Sequence, residues 1–238
     1  MQRTKSHLKK LNQIISIATK KKQKEANCIV IDGMSASGKT TLVNEIAKVF
    51  RFLPIFELTN DKKDLTNILL EKMYRRNEGA EGVCQLHFLL DRFEKYKKNN
   101  ITFANKIKVF DRSIFADRLF AYVNLVTQPN VFSYYEKLWL DKVNELIYSI
   151  GLPKLYIILR LDWITFKKRI FKRNREMEIK NFAKNKNYFY FLLLIYEKYL
   201  VQICQTYSIP YVIIDAKKKL NEKIKEIAKI FEQYKINY

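Results

Sequence analysis

The stretch that decides the fold reads Gly33-Met34-Ser35-Ala36-Ser37-Gly38-Lys39-Thr40 and satisfies the pattern G-x-x-x-x-G-K-[ST]. It follows an apolar run at residues 28–32, typical of a buried strand, and opens a helical run from Thr41 to Phe50. Two glycines let the backbone turn its N–H groups toward phosphates, and the helix N-terminus adds the positive end of its dipole. The motif therefore predicts that residues 33–41 hold a nucleoside triphosphate, with Lys39 bridging the β- and γ-phosphates and Thr40 as a ligand of Mg²⁺.

The rest of the chain alternates short apolar runs with longer helical patterns. We predict strands at residues 28–32, 53–57, 108–111, 155–161 and 211–215. Predicted helices lie between them, at about 40–50, 64–76, 82–98, 114–125, 131–149, 163–175, 187–206 and 219–235. This alternation predicts one α/β domain over residues 26–238, with a five-stranded parallel sheet flanked by helices.

Residues 1–25 precede this domain as a basic extension. Apolar residues recur at helical spacing between residues 6 and 24, which predicts an amphipathic helix. Transit peptides are rich in arginine and serine, whereas this stretch is dominated by lysine. A structural extension is the favoured interpretation, and organellar targeting is the alternative.

Charge and cysteine content narrow the class of protein. The 45 Lys and Arg against 24 Asp and Glu give a formal net charge of +21, which attracts phosphate-bearing ligands, nucleic acids or acidic lipids. Most of the lysines are interpreted as solvated faces. Three widely spaced cysteines predict a reducing, cytoplasmic compartment. The longest apolar run, residues 188–196, is too short to span a bilayer.

Features beyond the phosphate loop favour a kinase over other nucleotide-binding proteins. Glu57 ends the second predicted strand, at the sheet edge where open α/β folds bind ligands, and its carboxylate can accept a hydroxyl proton. Asp111 and Arg112 end the third strand on the same edge. They offer a carboxylate to Mg²⁺, directly or through water, and a guanidinium to the transferring group. Three arginines beyond the fourth strand predict a lid over an anion: Arg169, Arg173 and Arg175.

Three segments carry a family resemblance. The first is Asp111-Arg112-Ser113-Ile114-Phe115-Ala116-Asp117-Arg118, with an acidic-Arg-Ser motif and a downstream Asp-Arg. The second is Met73-Tyr74, followed by Gln85 and then Arg92. The third is Arg169-Ile170-Phe171-Lys172-Arg173-Asn174-Arg175. Over residues 27–216 the chain resembles the deoxynucleoside kinase family, the deoxycytidine, deoxyguanosine and deoxyadenosine kinases in particular.

The resemblance implies a P-loop kinase fold with strand order 2-3-1-4-5 and an arginine-rich lid. It implies ATP or another triphosphate as donor, Mg²⁺ as cofactor, a deoxynucleoside as acceptor and a homodimer formed through apolar helices such as 131–149. Glu57 matches the general base on the 5′-hydroxyl, and Arg112 matches the arginine that holds this oxygen and the phosphoryl group. Tyr74, with Glu178 as a second partner, matches the contact to the sugar 3′-hydroxyl.

Further roles implied by the resemblance concern the two bases. Gln85 matches the reader of the acceptor base edge, and Arg92 with Asp117 matches the charged pair beneath that base. This pair accompanies a preference for purine deoxynucleosides or deoxycytidine over thymidine. Arg169 matches the residue that stacks on the donor base. The phosphate clamps are matched by Arg173 and Arg175.

Two departures and two alternatives remain. Leu58 replaces a common proline after the catalytic glutamate, and Ala121 replaces the aromatic residue that stacks on the acceptor base, so Phe120 or another aromatic residue must supply that contact. A nucleoside monophosphate kinase on the same fold would need a cationic site where Tyr74 and Gln85 stand. A basic nucleic-acid-binding protein without turnover is disfavoured, since the predicted strands lack an aromatic and basic surface.

Overall fold

The computed structural model describes residues 25–57, 64–77, 80–127 and 151–236. Five parallel strands form one sheet in the order β2-β3-β1-β4-β5. They are β1 Glu25–Gly33, β2 Leu53–Ile55, β3 Lys108–Asp111, β4 Leu152–Arg160 and β5 Tyr211–Asp215. The predicted fold class and strand order are confirmed.

Eight described helices pack around the sheet. They are α1 Lys39–Phe50, α2 Leu65–Arg75, α3 Ala80–Thr102, α4 Ile114–Thr127, α5 Trp163–Arg173, α6 Glu176–Lys180, α7 Phe182–Thr206 and α8 Leu220–Gln233. No helix in the described ranges is both long and apolar enough to cross a membrane. The predicted helices at 6–24 and 131–149 lie outside the described residues, and so does Leu58.

The central strand is buried on both faces, which explains its continuous apolar run. The side chains of residues 28–31 are fully buried, as expected for a parallel strand covered by helices on both sides. Ile31 pairs with Asp111 of β3 and with Ile157 of β4, so the three strands end at one edge. This edge places the phosphate loop beside the residues that follow β2 and β3.

Local signals set several helix boundaries. The Asp64 carboxylate caps α2 by accepting from the Thr66 N–H at 2.8 Å, and Asp162 caps α5 through the Thr165 N–H at 2.8 Å. Asn174 adopts a left-handed backbone with φ 54° and ends α5. For this reason the predicted helix 163–175 stops at Arg173, and a separate short helix, α6, follows.

Candidate active site

A cleft of about 870 Å³, its open mouth included, runs along the carboxyl edge of the sheet. It extends from the phosphate loop to the space between α2, α3 and α6. Twelve of the residues predicted from the sequence line it: Ser35, Lys39, Thr40, Glu57, Tyr74, Gln85, Asp111, Arg112, Asp117, Arg173, Arg175 and Glu178. The fold therefore brings residues from distant parts of the sequence to one place.

The phosphate loop turns tightly between β1 and α1. Ala36 and Gly38 have φ 58° and φ 93°, both in the left-handed region. A Cβ at Gly33 would lie 2.9 Å from both the Leu159 Cβ and the Ser37 Oγ, so the site admits no side chain. Of loop residues 33–41, Ser35, Lys39 and Thr40 line the cleft wall, and the other six do not.

Lys39 is buried at the start of α1, where its ammonium group donates to the Met34 carbonyl at 3.1 Å. Burial and the neighbouring Arg112 lower the pKa of Lys39 to about 8, although nearby carboxylates oppose the shift. The ammonium group thus faces the cleft with a neutral carbonyl as its hydrogen-bond acceptor. An incoming anion would favour its charged form.

Thr40 and Asp111 meet beside Lys39. The Thr40 hydroxyl donates to Oδ2 of Asp111, while the buried Oδ1 has no hydrogen-bond partner among the described residues. Burial raises the pKa of the Asp111 carboxyl. Hydroxyl and carboxylate oxygens are ligands that suit Mg²⁺. No cluster of three His, Cys, Asp or Glu side chains fit to hold a metal occurs in the described ranges, so further ligands would be phosphate oxygens and water.

Glu57 lies two residues beyond β2, because the strand ends at Ile55 rather than at Glu57 as predicted. Its Oε1 lies 2.9 Å from Arg92 Nη2 and 2.9 Å from Arg112 Nε. Burial alone would raise the pKa of this carboxyl, but Arg112, Arg92 and Lys39 outweigh it and lower the pKa to about 2. Glu57 is therefore ionised and held between two guanidinium groups.

The Arg92–Asp117 pair is buried at the inner end of the cleft. Arg92 Nε donates to Asp117 Oδ2 at 2.7 Å, and Arg92 Nη2 donates to Asp117 Oδ1 at 3.0 Å. Arg92 also donates to the Asp111 carbonyl at 3.2 Å. Only Asp117 reaches the cleft wall, whereas Arg92 lies behind it and joins Asp117 to Glu57. The sequence pattern did not indicate this link to the predicted base.

Arg112 follows β3 with φ 77°, a left-handed backbone that is uncommon for arginine. Its guanidinium carbon lies 4.6 Å from the Phe120 ring centroid, and Nη1 donates to the hydroxyl of Tyr196. The Tyr196 hydroxyl in turn donates to Asp32 at 2.7 Å. Asp32 and Tyr196 were missed in the sequence, since each lies within an apolar run typical of the core.

The part of the cleft between α2 and α3 is lined mainly by apolar and aromatic side chains. Gln85 donates to the Met73 sulfur at 3.4 Å, a weak acceptor that a better one can replace. Aromatic rings of Phe88, Phe120 and Tyr188 also line the wall, whereas the buried Ala121 does not. Phe88 could have been found from its helical spacing to Gln85, three residues earlier on α3.

The three predicted lid arginines have different partners. Arg169 donates to the Ser37 carbonyl at 3.1 Å and to the Ala216 carbonyl at 2.8 Å, outside the cleft wall. Arg173 pairs with the buried Glu178. Arg175 lines the cleft and makes no ion pair with another described residue. Thus Arg169 and Arg173 share helix α5 but face different groups.

Tyr74 lies close to this lid. Its side chain is buried in the cleft wall beside Glu178, and burial together with the Glu178 charge raises the pKa of the Tyr74 hydroxyl well above its usual range. The hydroxyl is therefore protonated at neutral pH. A neutral phenol beside a carboxylate can donate and accept hydrogen bonds to one hydroxyl of a ligand.

Comparison with known proteins finds relatives among the deoxynucleoside kinases. A family model for deoxynucleoside kinases matches residues 29–237. A deoxyguanosine kinase of Lactobacillus acidophilus is 30% identical over 179 residues, covering 71% of this chain and 73% of that protein. An uncharacterized protein of Mycoplasma genitalium is 44% identical over 219 residues, covering 90% of this chain and 94% of that protein.

A solved structure of similar fold is deoxyadenosine kinase from M. mycoides with bound dATP. It aligns with a TM-score of 0.72 at 23% identity and covers 86% of this chain and 98% of that chain. At this identity the likeness concerns the fold.

Proposed function

Since the chain belongs to the deoxynucleoside kinase family, we propose that it transfers the γ-phosphoryl group of ATP to the 5′-hydroxyl of a deoxynucleoside. The observation that carries this proposal is the charge balance at the end of the cleft beside Glu57, Tyr74 and Gln85, which we assign to the acceptor and call the acceptor end. Arg92 and Arg112 each have a carboxylate partner there, namely Asp117 and Glu57. An acceptor bound there need carry no charge of its own.

The same balance disfavours the nucleoside monophosphate kinase alternative. A monophosphate carries close to two negative charges at neutral pH, so its site needs cations that are not already neutralised. At this end of the cleft, the guanidinium groups of Arg92 and Arg112 are already shared with Glu57. Bringing a phosphate beside that carboxylate would add repulsion to a buried ionised group.

The donor is assigned to the opposite end of the cleft. Residues 33–41 would wrap the triphosphate with backbone N–H groups, and Lys39 would contact the β- and γ-phosphates. Arg169 would lie against the donor base, and Arg173 with Arg175 would reach the phosphates. Mg²⁺, when bound, would neutralise charge on the β- and γ-phosphate oxygens, with Thr40 and Asp111 as its protein ligands, directly or through water.

The chemical step makes one bond and breaks another. The 5′-oxygen bonds to the γ-phosphorus, the bond from this phosphorus to the β-phosphate oxygen breaks, and ADP leaves. The hydroxyl proton passes to Glu57. A carboxylate with a pKa of about 2 is a weak base, so it accepts the proton only once bonding to phosphorus makes the hydroxyl acidic. Glu57 therefore acts mainly by orienting the hydroxyl, and Arg112 holds the oxygen and the phosphoryl group.

Acceptor recognition is assigned to the apolar end. Tyr74 and Glu178 would hold the sugar 3′-hydroxyl, and Gln85 would read the base edge. Asp117, with Arg92 behind it, favours bases that carry an exocyclic amino group, which adenine, guanine and cytosine have and thymine lacks. We therefore place purine deoxynucleosides and deoxycytidine ahead of thymidine. Phe88, Phe120 or Tyr188 supplies the aromatic contact expected in place of Ala121.

The proposal extends to the setting of the reaction. The product would serve nucleotide salvage, and we place the protein in the cytoplasm as a homodimer that does not bind nucleic acid. The three buried cysteines, which are free thiols, fit a reducing compartment.

A phosphoryl-transfer assay tests the proposal. The purified protein is given radiolabelled ATP and Mg²⁺ with each of the four deoxynucleosides and, separately, with the four monophosphates. We expect 5′-monophosphates to form from deoxyadenosine, deoxyguanosine or deoxycytidine, and no transfer to monophosphates. Transfer to monophosphates alone would identify the monophosphate kinase. Salt-sensitive DNA binding without any transfer would identify the nucleic-acid-binding alternative.

A further inference from the structure

Asp32, immediately before the phosphate loop, is fully buried yet carries a carboxylate. It accepts hydrogen bonds from the Tyr196 hydroxyl at 2.7 Å, the Tyr156 hydroxyl at 2.6 Å and the Gly33 N–H at 2.8 Å. A buried carboxylate needs such donors, or a cation, to offset its lost hydration. Tyr196 lies on α7 and Tyr156 on β4, so Asp32 connects both elements to the start of the phosphate loop.

The Arg112 guanidinium lies near this carboxylate but does not hydrogen-bond to it directly. Arg112 Nη1 lies 3.7 Å from Asp32 Oδ1, beyond hydrogen-bond distance. The Tyr196 hydroxyl fills the gap, because it accepts from Arg112 Nη1 and donates to Asp32 Oδ1. On its other side the guanidinium contacts Glu57 through Nε at 2.9 Å. The Tyr156 hydroxyl bonds Asp32 and the Ser113 hydroxyl, and no contact to Arg112 is described for it.

We propose that Tyr196 is a positioning residue for phosphoryl transfer. Its hydroxyl holds the Arg112 guanidinium in place by linking it to the buried Asp32 carboxylate. The inference rests on the proposed function, in which Arg112 holds the 5′-oxygen and the transferring group. The Arg112 backbone is fixed by its N–H bond to the Ile31 carbonyl at 2.9 Å, so the guanidinium is the part that Tyr196 orients. A guanidinium displaced by a fraction of an ångström aligns the reacting groups less well.

The test compares three changes that each remove one buried hydroxyl. Tyr196→Phe removes the contact to Arg112, and Tyr156→Phe removes a donor to the same Asp32 without touching Arg112. Tyr199→Phe is the matched control on α7, since its buried hydroxyl has no hydrogen-bond partner among the described residues. We expect Tyr196→Phe to lower kcat about 10-fold or more, with KM for ATP and for the deoxynucleoside changed less than about twofold. Tyr199→Phe keeps the wild-type kcat.

A double-mutant cycle separates positioning from a general structural role. In an Arg112→Lys background the Tyr196 hydroxyl has no guanidinium to position, so Tyr196→Phe should cause no further loss of kcat. Asp32→Asn follows the same pattern and serves as a second variant if Tyr196→Phe fails to fold, which thermal unfolding reports. An equal loss in both backgrounds, or a loss for Tyr156→Phe as large as for Tyr196→Phe, overturns the proposal. A wild-type protein without deoxynucleoside phosphorylation refutes the proposed function itself, which the variants cannot do.

Discussion

The two ends of the cleft satisfy their cations in different ways. At the donor end Lys39 donates to the Met34 carbonyl, and Arg169 donates to the Ser37 and Ala216 carbonyls. At the acceptor end Arg92 and Arg112 pair with carboxylates. A carbonyl contact does not neutralise the positive charge, although carboxylates lie near Lys39, whereas the direct ion pairs of Arg92 and Arg112 do neutralise it. The donor end is thus prepared for an anion, and the acceptor end is prepared for a neutral molecule whose hydroxyl must be held in place.

The largest expected effects come from removing one charge at either end. We expect Lys39→Ala and Glu57→Gln each to lower kcat about 100- to 1000-fold, because a preorganised partner of the transition state is lost. Lys48→Ala, on the exposed face of the same helix as Lys39, should leave kcat unchanged. Steady-state kinetics with a saturating deoxynucleoside give the values. A Glu57→Gln variant with nearly normal kcat would remove Glu57 from the role of base.

The second prediction concerns the acceptor end and its Arg92–Asp117 pair. The wild type should favour deoxyadenosine, deoxyguanosine or deoxycytidine over thymidine, and the double change Arg92→Met with Asp117→Ala should narrow or reverse this preference. Both must change together, since either partner left alone would be a buried, unpaired charge. Because Arg92 also contacts Glu57, kcat should fall for every acceptor, so the ratio of kcat/KM between acceptors is the measurement. A wild type that prefers thymidine over the other deoxynucleosides would contradict this prediction.

A third prediction tests whether ATP binding at the donor end relies on the positive charge of Lys39. Burial holds the pKa of Lys39 near 8 in the free protein, and only the protonated form attracts phosphates. ATP binding should therefore be full below pH 8 and weaken as the pH rises through it, by about tenfold one unit higher. Calorimetric Kd values at pH 7 and pH 9 measure the change. Lys39→Arg keeps its charge throughout, so its Kd should stay flat, and an equally steep loss in that variant would assign the titration to another group.

Arg173 lies between the two ends, and its removal should have a smaller effect. Its guanidinium is paired with Glu178 in the free protein and would turn to the phosphates only when the lid closes. Arg173→Ala should lower kcat about tenfold while changing deoxynucleoside affinity little. Lys172→Ala, one residue earlier and exposed, is the matched control. An effect confined to acceptor affinity would take Arg173 out of the lid.

Much of this arrangement could be predicted from the sequence, for physical reasons. The phosphate loop is a contiguous motif, and the short apolar runs of β1 and β4 are typical of buried strands. Contacts between distant side chains could not be predicted in the same way. Arg92 matched a charged pair with Asp117, yet nothing in its spacing indicated that the same guanidinium reaches Glu57, 35 residues away in sequence.

The aromatic residues of α7 show the other limit. Tyr188 and Tyr196 begin and end the apolar run 188–196, and Tyr199 follows one helical turn later. All three are buried, so helical periodicity assigns all three to the core. Their surroundings differ. The Tyr188 side chain lines the cleft, and the Tyr196 hydroxyl donates to Asp32. The Tyr199 hydroxyl bonds no described group. The difference depends on which strand ends face the helix, and this is set by tertiary packing.

The smallest predicted effect lies at the outer edge of the donor end, at Lys223. Its ammonium group donates to the Ala216 carbonyl at 2.8 Å, the same oxygen that Arg169 Nη2 contacts at 2.8 Å. Lys223→Met keeps the length of the side chain but removes this bond. The Ala216 carbonyl, which also binds Arg169, should then be held less firmly. One such bond contributes about 1 kcal/mol, and we expect KM for ATP to rise about threefold with KM for the deoxynucleoside unchanged. Lys225→Met, on the same helix and exposed, is the control. A rise in the deoxynucleoside KM instead would show that the two ends are coupled through α8, and the division between a donor end and an acceptor end would then fail.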